Sequence, residues 1–170
     1  MRERWSIAMH KEDFKFSCAH FLIFPDGSKE RLHGHNYQVS CEIEGALDAH
    51  GLVIDFNQAK PVVRSLCREL NERWLVPGEH PRLEILPGDD GHTRIVFGER
   101  RYCAPSDEIR VMPMNNVSVE NLAAYLGRRL REELERRFGA ARIGSVVVSV
   151  TENNGQGGVY RLDAEADACS

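Results

Sequence analysis

The residues of this chain best suited to chemistry lie in one short segment, Glu30-Arg31-Leu32-His33-Gly34-His35-Asn36-Tyr37. Successive side chains of a strand point to opposite faces, so His33 and His35 project the same way, about 6.6 Å apart along the chain. Gly34 leaves the backbone between them free to bend around an ion. Neutral imidazoles suit a borderline metal such as zinc, but a metal site needs at least one further ligand.

We predict that the third ligand is His20, at the end of the preceding strand. Residues 12–20 alternate in strand fashion and place His20 on the apolar face. A second strand is predicted from about 35 to 44, and consecutive strands joined by a loop most economically pair antiparallel. His20 alone would be interpreted as a hydrogen-bonded core residue. Beside His33 and His35 it predicts a three-histidine site with an open fourth position, which is typical of catalytic zinc.

Two glutamates are candidates for a role beside this metal. Glu30 lies three residues before His33, and it is either a solvated loop carboxylate or a general base. Glu152 continues the apolar face of a predicted strand at 143–151, where a carboxylate needs a partner. That partner is either a structural ion pair or the parallel N–H donors of a ligand. The glycine-rich turn that follows would let a flat ring approach the backbone.

Two helices are predicted from apolar residues at helical spacing. The first is capped by Asp55 or Asn57, and its apolar stripe extends to Trp74. The second is capped by Ser118 and ends at Gly139. Both helices should bury one apolar stripe against the same sheet.

The elements around the helices predict a single α+β domain over residues 1–170. An insertion at about 76–114 is predicted to hold a β-hairpin with strands at 83–86 and 92–97. The element order is strand, strand, helix, inserted hairpin, helix, strand, strand, which predicts a four-stranded antiparallel sheet with two helices on one face. The uncovered face and the sheet edges favour a homo-oligomer.

Composition and charge give no support for several classes of partner. The chain has 170 residues and a net charge of −4, which gives no reason to expect nucleic acid or an anionic membrane as a partner. No apolar run approaches the roughly 18 residues of a membrane span. Five cysteines without a CxxC pair, in a chain without an apolar leader, predict reduced thiols and a cytoplasmic protein.

Four segments together resemble the 6-pyruvoyltetrahydropterin synthase / 6-carboxytetrahydropterin synthase family: Phe16-Ser17-Cys18-Ala19-His20, Leu32-His33-Gly34-His35-Asn36-Tyr37, Val53-Ile54-Asp55-Phe56 and Val150-Thr151-Glu152. The resemblance implies the tunnelling fold (T-fold), in which subunits pool their sheets into a barrel, commonly as a hexamer of two trimers. It implies that His20, His33 and His35 bind Zn²⁺. It also implies that Glu152 anchors the 2-amino group and ring N–H of a pterin.

The chain departs from the family pattern before the HGH motif. The carboxy-forming synthases carry a catalytic cysteine four residues upstream, where this chain has Lys29. Glu30 instead gives E-x-x-H-G-H, which resembles the type III subgroup. That subgroup is linked to folate synthesis and cleaves the side chain of dihydroneopterin triphosphate.

A second departure follows the first helix. The family has an Asp-His pair in the pattern L-D-H-x-x-L, and this chain has Asn71 and Glu72 at those positions. His80 or His92, from the insertion, could replace the missing histidine, or both could be exposed loop residues.

The resemblance and the departures together predict a zinc-dependent pterin lyase. Its substrate would be 7,8-dihydroneopterin triphosphate or dihydroneopterin, and Glu30 would remove a hydroxyl proton before retro-aldol cleavage to 6-hydroxymethyl-7,8-dihydropterin. The alternatives are a 6-pyruvoyl- or 6-carboxytetrahydropterin synthase, a pterin-binding relative without turnover, and a zinc hydrolase of unrelated substrates.

Overall fold

The computed structural model describes residues 3–152 and 155–164 of the chain. In chain order these residues form β1 (Trp5–His20), β2 (His33–Gly45), α1 (Phe56–Leu70), β3 (Arg73–Pro77), β4 (Leu83–Pro87), β5 (His92–Phe97), β6 (Arg100–Pro105), β7 (Ile109–Met112), α2 (Val119–Phe138), β8 (Ser145–Glu152) and β9 (Gln156–Asp163). Neither helix is long and apolar enough to cross a membrane.

The main sheet has six strands in the order β7-β3-β1-β2-β8-β9. The four predicted strands β1, β2, β8 and β9 are contiguous and antiparallel. Strands β3 and β7 extend this sheet in parallel orientation, so the predicted four-stranded sheet is too small. Four of the five residues of β3 are buried, and its sequence lacks the alternation that reveals a half-buried strand.

Both helices pack on one face of the sheet, as predicted, because their apolar stripes and the inward residues of β1, β2 and β8 form one core. The side chain of Asp55 caps α1 by accepting a hydrogen bond from the Asn57 N–H. Ser118 caps α2, and Gly139 ends it with a φ of 87°, a conformation that favours glycine. Trp74 was wrongly assigned to the first helix; α1 ends at Leu70, and Trp74 lies in β3.

The insertion forms a three-stranded antiparallel sheet, β4-β5-β6, and not the predicted two-stranded hairpin. The predicted pairing of β4 with β5 is confirmed, but β6 was missed. This inserted sheet packs on a second apolar cluster, distinct from the helix-side core, built from Phe21, Ile23, Trp74, Val76, Ile95 and Phe97. The β-sheet face that was expected to be uncovered is therefore partly covered.

The glycine-rich stretch that leads into β9 has a packing role at Gly158, the third residue of that strand. A Cβ added there would lie 2.7 Å from the backbone nitrogen of Glu120, so the glycine lets the first turn of α2 approach β9. The close neighbour of Gly158 is therefore the backbone of α2, whereas the sequence suggested that a flat ligand ring would approach the glycine-rich turn. Residues 153–154 of the predicted turn lie outside the described residues.

Candidate metal centre

The three predicted ligands meet at one end of the β1–β2 pair. His20 is the last residue of β1 and lies opposite His33, the first residue of β2, while His35 lies opposite Cys18. The ring centroids of His20 and His33 are 4.9 Å apart, and those of His33 and His35 are 4.6 Å apart. One ring nitrogen from each of the three lies within 4.8 Å of the other two. The alternation of two strands thus brings together residues that are 15 positions apart in the chain.

Backbone carbonyls orient two of the three rings. The Nδ1–H of His20 donates to the carbonyl oxygen of Val117 at 3.0 Å, and that of His33 donates to the carbonyl of Arg31 at 2.7 Å. This assignment of tautomers leaves the lone pair on Nε2 in both rings. The Nε2 atoms of His33 and His35 are 2.8 Å apart. Burial also lowers the pKa of His20, which favours the neutral imidazole that binds metals.

This arrangement of donors fits a zinc ion. Three imidazole nitrogens lie within 4.8 Å of one another. Among the described residues, this group of potential metal ligands consists of His20, His33 and His35, with no cysteine, aspartate or glutamate. A structural zinc site is closed by four protein ligands, often including cysteine, whereas a catalytic site has three and an open position. The donor set therefore favours a catalytic site over a structural one.

Tyr37 is a site residue that the sequence reasoning missed. Its hydroxyl lies 3.0 Å from Nε2 of His20, and its ring is buried. The signal was present in the alternation of β2, because Tyr37 lies two residues after His35 on the same face. Without a partner in the sequence, however, this tyrosine is not distinguishable from an ordinary aromatic core residue.

Glu30 lies beside the histidines and is held there by the loop between β1 and β2. Its N–H donates to the carbonyl of Leu22 at 3.0 Å, and the N–H of Leu22 donates to Oε2 of Glu30 at 3.1 Å. The same Oε2 lies 3.9 Å from Nε2 of His33. The structure thus places the Glu30 carboxylate at the candidate metal centre and fixes one of its oxygens to the backbone.

Glu152 lies on the other side of the histidines, at the end of β8. Its Oε1 is 2.5 Å from Nε2 of His35, and its Oε2 accepts a hydrogen bond from the Gln156 side chain at 3.0 Å. Only 14% of its side chain is exposed. The Glu152 carboxylate, which continues the apolar face of β8, therefore has polar partners in His35 and Gln156.

Asn71 and Glu72, which stand where the family has its Asp-His pair, form hydrogen bonds to the backbone of β1. The side-chain oxygen of Asn71 accepts a hydrogen bond from the Ser17 N–H at 2.9 Å, and the N–H of Glu72 donates to the Ser17 carbonyl at 2.7 Å. These bonds fasten the end of α1 to β1. His80 lies near Phe97 on the inserted sheet, and neither it nor the other insertion histidine belongs to the histidine group.

An open cleft of about 660 Å³ lies beside His35, between β1, β2 and the inserted sheet. Cys18 lines it, but burial raises the pKa of this thiol to about 12, and the nearby charge of Glu152 adds to the shift. A thiol with that pKa is protonated at neutral pH and is a poor nucleophile or base. The four cysteines of the described residues are all free thiols, as expected.

Comparison with known proteins identifies relatives over nearly the whole chain. A family model described as 6-pyruvoyl tetrahydropterin synthase matches residues 9–163. A protein of Methanocaldococcus jannaschii, provisionally named 6-carboxy-5,6,7,8-tetrahydropterin synthase, is 27% identical over 148 residues, which cover 86% of this chain and 89% of that protein.

Two solved structures share the fold closely. The crystal structure of 6-pyruvoyl tetrahydropterin synthase from Plasmodium vivax has a TM-score of 0.88 and 29% identity, and the match covers 95% of this chain and 99% of that one. A catalytic-residue variant of the Plasmodium vivax enzyme, with glutamate replaced by alanine, matches with the same TM-score and coverage at 28% identity. These matches confirm the fold class that the sequence motifs implied.

Proposed function

Because this chain belongs to the 6-pyruvoyl tetrahydropterin synthase family, we propose that it is a metal-dependent lyase acting on the side chain of 7,8-dihydroneopterin triphosphate or 7,8-dihydroneopterin. The observation that carries this proposal is the carboxylate of Glu30, which lies 3.9 Å from Nε2 of His33. A proton acceptor beside a metal site suits a reaction that begins at an activated hydroxyl group.

His20, His33 and His35 would hold the metal ion, which we propose is Zn²⁺. A zinc ion at this place supplies Lewis-acid polarisation of the side-chain hydroxyl oxygens of the substrate. The support for zinc is the set of three imidazole donors and the two backbone carbonyls that direct Nε2 toward a common point.

Glu30 is the proposed general base. Its Oε2 accepts the backbone bond from Leu22, so Oε1 is the oxygen left to receive the C2′ hydroxyl proton. Loss of that proton turns C2′ into a carbonyl, the C1′–C2′ bond breaks, and the electron pair passes into the C6=N5 imine of the ring. C1′ then takes up a proton and becomes the hydroxymethyl carbon, so the reaction needs no oxidant and no net proton. The Plasmodium vivax relative has a glutamate as a catalytic residue, which supports a carboxylate as a catalytic group here.

Glu152 is the proposed anchor of the pterin ring. A carboxylate accepts two parallel N–H bonds from the 2-amino group and the adjacent ring nitrogen, which fixes the plane of the ring. A fixed ring keeps the breaking C1′–C2′ bond aligned with the imine that receives its electrons. The low exposure of the Glu152 side chain strengthens such charge-assisted bonds.

The names of the relatives favour a second candidate, the synthase reaction that gives a 6-pyruvoyl or 6-carboxy tetrahydropterin. Against this, Lys29 occupies the place of the cysteine used by the carboxy-forming group. The two candidates share the metal centre and the pterin anchor, and they differ in the bond that breaks.

Product analysis separates the candidates. The zinc-loaded protein is incubated with dihydroneopterin and, separately, with its triphosphate, and the pterins and small aldehydes are identified by mass spectrometry. Cleavage gives 6-hydroxymethyl-7,8-dihydropterin together with a two-carbon aldehyde. A 6-pyruvoyl or 6-carboxy product would overturn the lyase proposal in favour of the synthase, and recovery of bound, unchanged substrate would identify a binding protein without turnover.

Replacement of Glu152 by alanine is expected to raise the KM for the pterin roughly tenfold to hundredfold, because two charge-assisted hydrogen bonds are lost. Steady-state kinetics on preparations matched for zinc content measure this effect, since Glu152 also contacts His35. Glu42→Gln is the control and should leave the KM unchanged, because Glu42 lies on the exposed face of β2, opposite to the face that carries His33 and His35. A Glu152→Ala variant with the original KM would show that the ring is anchored elsewhere.

We also propose that the protein is a trimer or hexamer in which subunits pool their sheets. The edge strands β7 and β9 each present an exposed valine, Val111 at 48% and Val159 at 69% exposure. Free edges with apolar side chains are ready to pair with another chain. Light scattering after size-exclusion chromatography measures the mass, and a monomeric mass at micromolar concentration would contradict this assembly.

A further inference from the structure

The side chain of Lys29, the residue directly before Glu30, lies over two aromatic rings, one of which belongs to the inserted sheet. Its Nζ lies 4.1 Å from the ring centroid of Phe21 and 5.3 Å from that of Tyr102. The same Nζ donates a hydrogen bond to the backbone carbonyl of Glu30. The lysine side chain therefore links the backbone of Glu30 to two aromatic rings.

The two rings come from different parts of the fold. Phe21 follows β1, whereas Tyr102 lies in β6 of the inserted sheet, and their rings stack with centroids 5.9 Å apart. Trp74 of β3 holds Tyr102 from the side, with centroids 5.6 Å apart. All three rings belong to the second apolar cluster or pack against it, so the surface that receives Lys29 is fixed by packing.

The position of Glu30 depends on a small set of contacts, which includes the bond from its own N–H to the Leu22 carbonyl. Its loop connects β1 to β2 and contains one isolated bridge, between Ile23 and Lys29. The Leu22 N–H holds one carboxylate oxygen of Glu30, and the Lys29 ammonium holds the carbonyl of Glu30. An ammonium group over aromatic rings gains an attraction that an exposed, mobile lysine lacks. Without it, the backbone at Glu30 would lose one of its attachments to the rest of the fold.

We propose that Lys29 and Tyr102 form a clamp that positions Glu30 for proton abstraction, so that the inserted sheet influences the reaction rate through the placement of Glu30. This inference rests on the proposed function of Glu30 as the base. Lys29 and Tyr102 are positioning residues: they act through the placement of a carboxylate. A displacement of a catalytic group by about 1 Å can cost on the order of a hundredfold in rate.

Variants of the two clamp residues test the proposal. Lys29→Met and Tyr102→Leu are expected to lower kcat by about 10- to 100-fold with unchanged zinc content, and Lys29→Met, whose side chain does not line the cleft, should also leave the KM unchanged. Lys29→Arg and Tyr102→Phe keep the cation and the ring, and each should restore most of the lost rate. Lys60→Met is the matched control, because it removes a lysine that likewise lies over an aromatic ring, that of Phe56 at the N-terminus of α1. An unchanged kcat in both Lys29→Met and Tyr102→Leu would overturn the proposal.

Two further measurements separate the clamp from the role of Glu30. In a Glu30→Gln background, Lys29→Met should cause no additional loss of kcat, whereas a further loss of the same size would show that Lys29 acts by another route. Hydrogen exchange reports on position even if Glu30 proves not to be the base. The amides of Leu22 and Glu30 should exchange roughly tenfold faster in Lys29→Met and Tyr102→Leu. Unchanged exchange of these amides would overturn the clamp whatever the kinetics show.

Discussion

Replacement of His33 by alanine is expected to leave the protein without a stoichiometric zinc ion and without measurable turnover. His33 contributes one of the three converging imidazoles, and the two that remain do not make a catalytic zinc site. Its side chain is 36% exposed, so its removal should spare the core better than removal of the buried His20. Zinc content by atomic emission, measured beside activity and thermal unfolding, checks this result.

The matched control for the metal-site variant is His50→Ala, which removes an exposed imidazole from the turn after β2. This control should retain zinc and full activity. A chelator should reproduce the loss seen with His33→Ala, and added Zn²⁺ should restore activity to the chelated parent protein but not to the variant. Retention of one zinc per chain by His33→Ala would refute the three-histidine site.

Replacement of Glu30 by glutamine is expected to lower kcat by about 10²- to 10⁴-fold, the usual contribution of a positioned general base. Glutamine keeps the shape of the side chain and can still accept the Leu22 N–H bond, so the loop should stay in place. Zinc content and pterin affinity should therefore remain those of the parent protein. Single-turnover kinetics and equilibrium titration with the pterin separate the chemical step from binding.

Glu99→Gln makes the same chemical change in the exposed turn between β5 and β6, and it should leave kcat unchanged. A Glu30→Gln variant with parental kcat would mean that another group removes the proton. A variant that lost zinc as well as activity would instead show that Glu30 supports the metal centre and is not a base.

The convergence of the three histidines could be predicted from the alternation of side chains in two short sequence segments. Alternation in residues 12–20 and in the HGH segment defines which side chains share a face, and the pairing of β1 with β2 then brings His20 opposite His33. The helix ends were equally local, because Ser118 and Gly139 act through hydrogen bonds and dihedral angles within a few residues.

The parts that the sequence did not reveal depend on contacts between distant segments. Strand β3 is buried on both faces, so its residues show no alternation, and Trp74 happened to continue the helical spacing of α1. The direction of Lys29 depends on Tyr102, 73 positions later in the chain. The tautomer of His20 depends on the Val117 carbonyl. Periodicity carries no information about such long-range partners.

Strand β3 contributes to both apolar clusters, with Leu75 in the helix-side core and Trp74 and Val76 in the cluster beneath the inserted sheet. Detachment of the inserted sheet would therefore expose one face of β3 to solvent, while the other face of β3 remains part of the helix-side core. The two halves of the molecule should then melt as one cooperative unit. An insertion built in this way is not an independent appendage, and changes within it reach the far side of the protein through a strand that both clusters share.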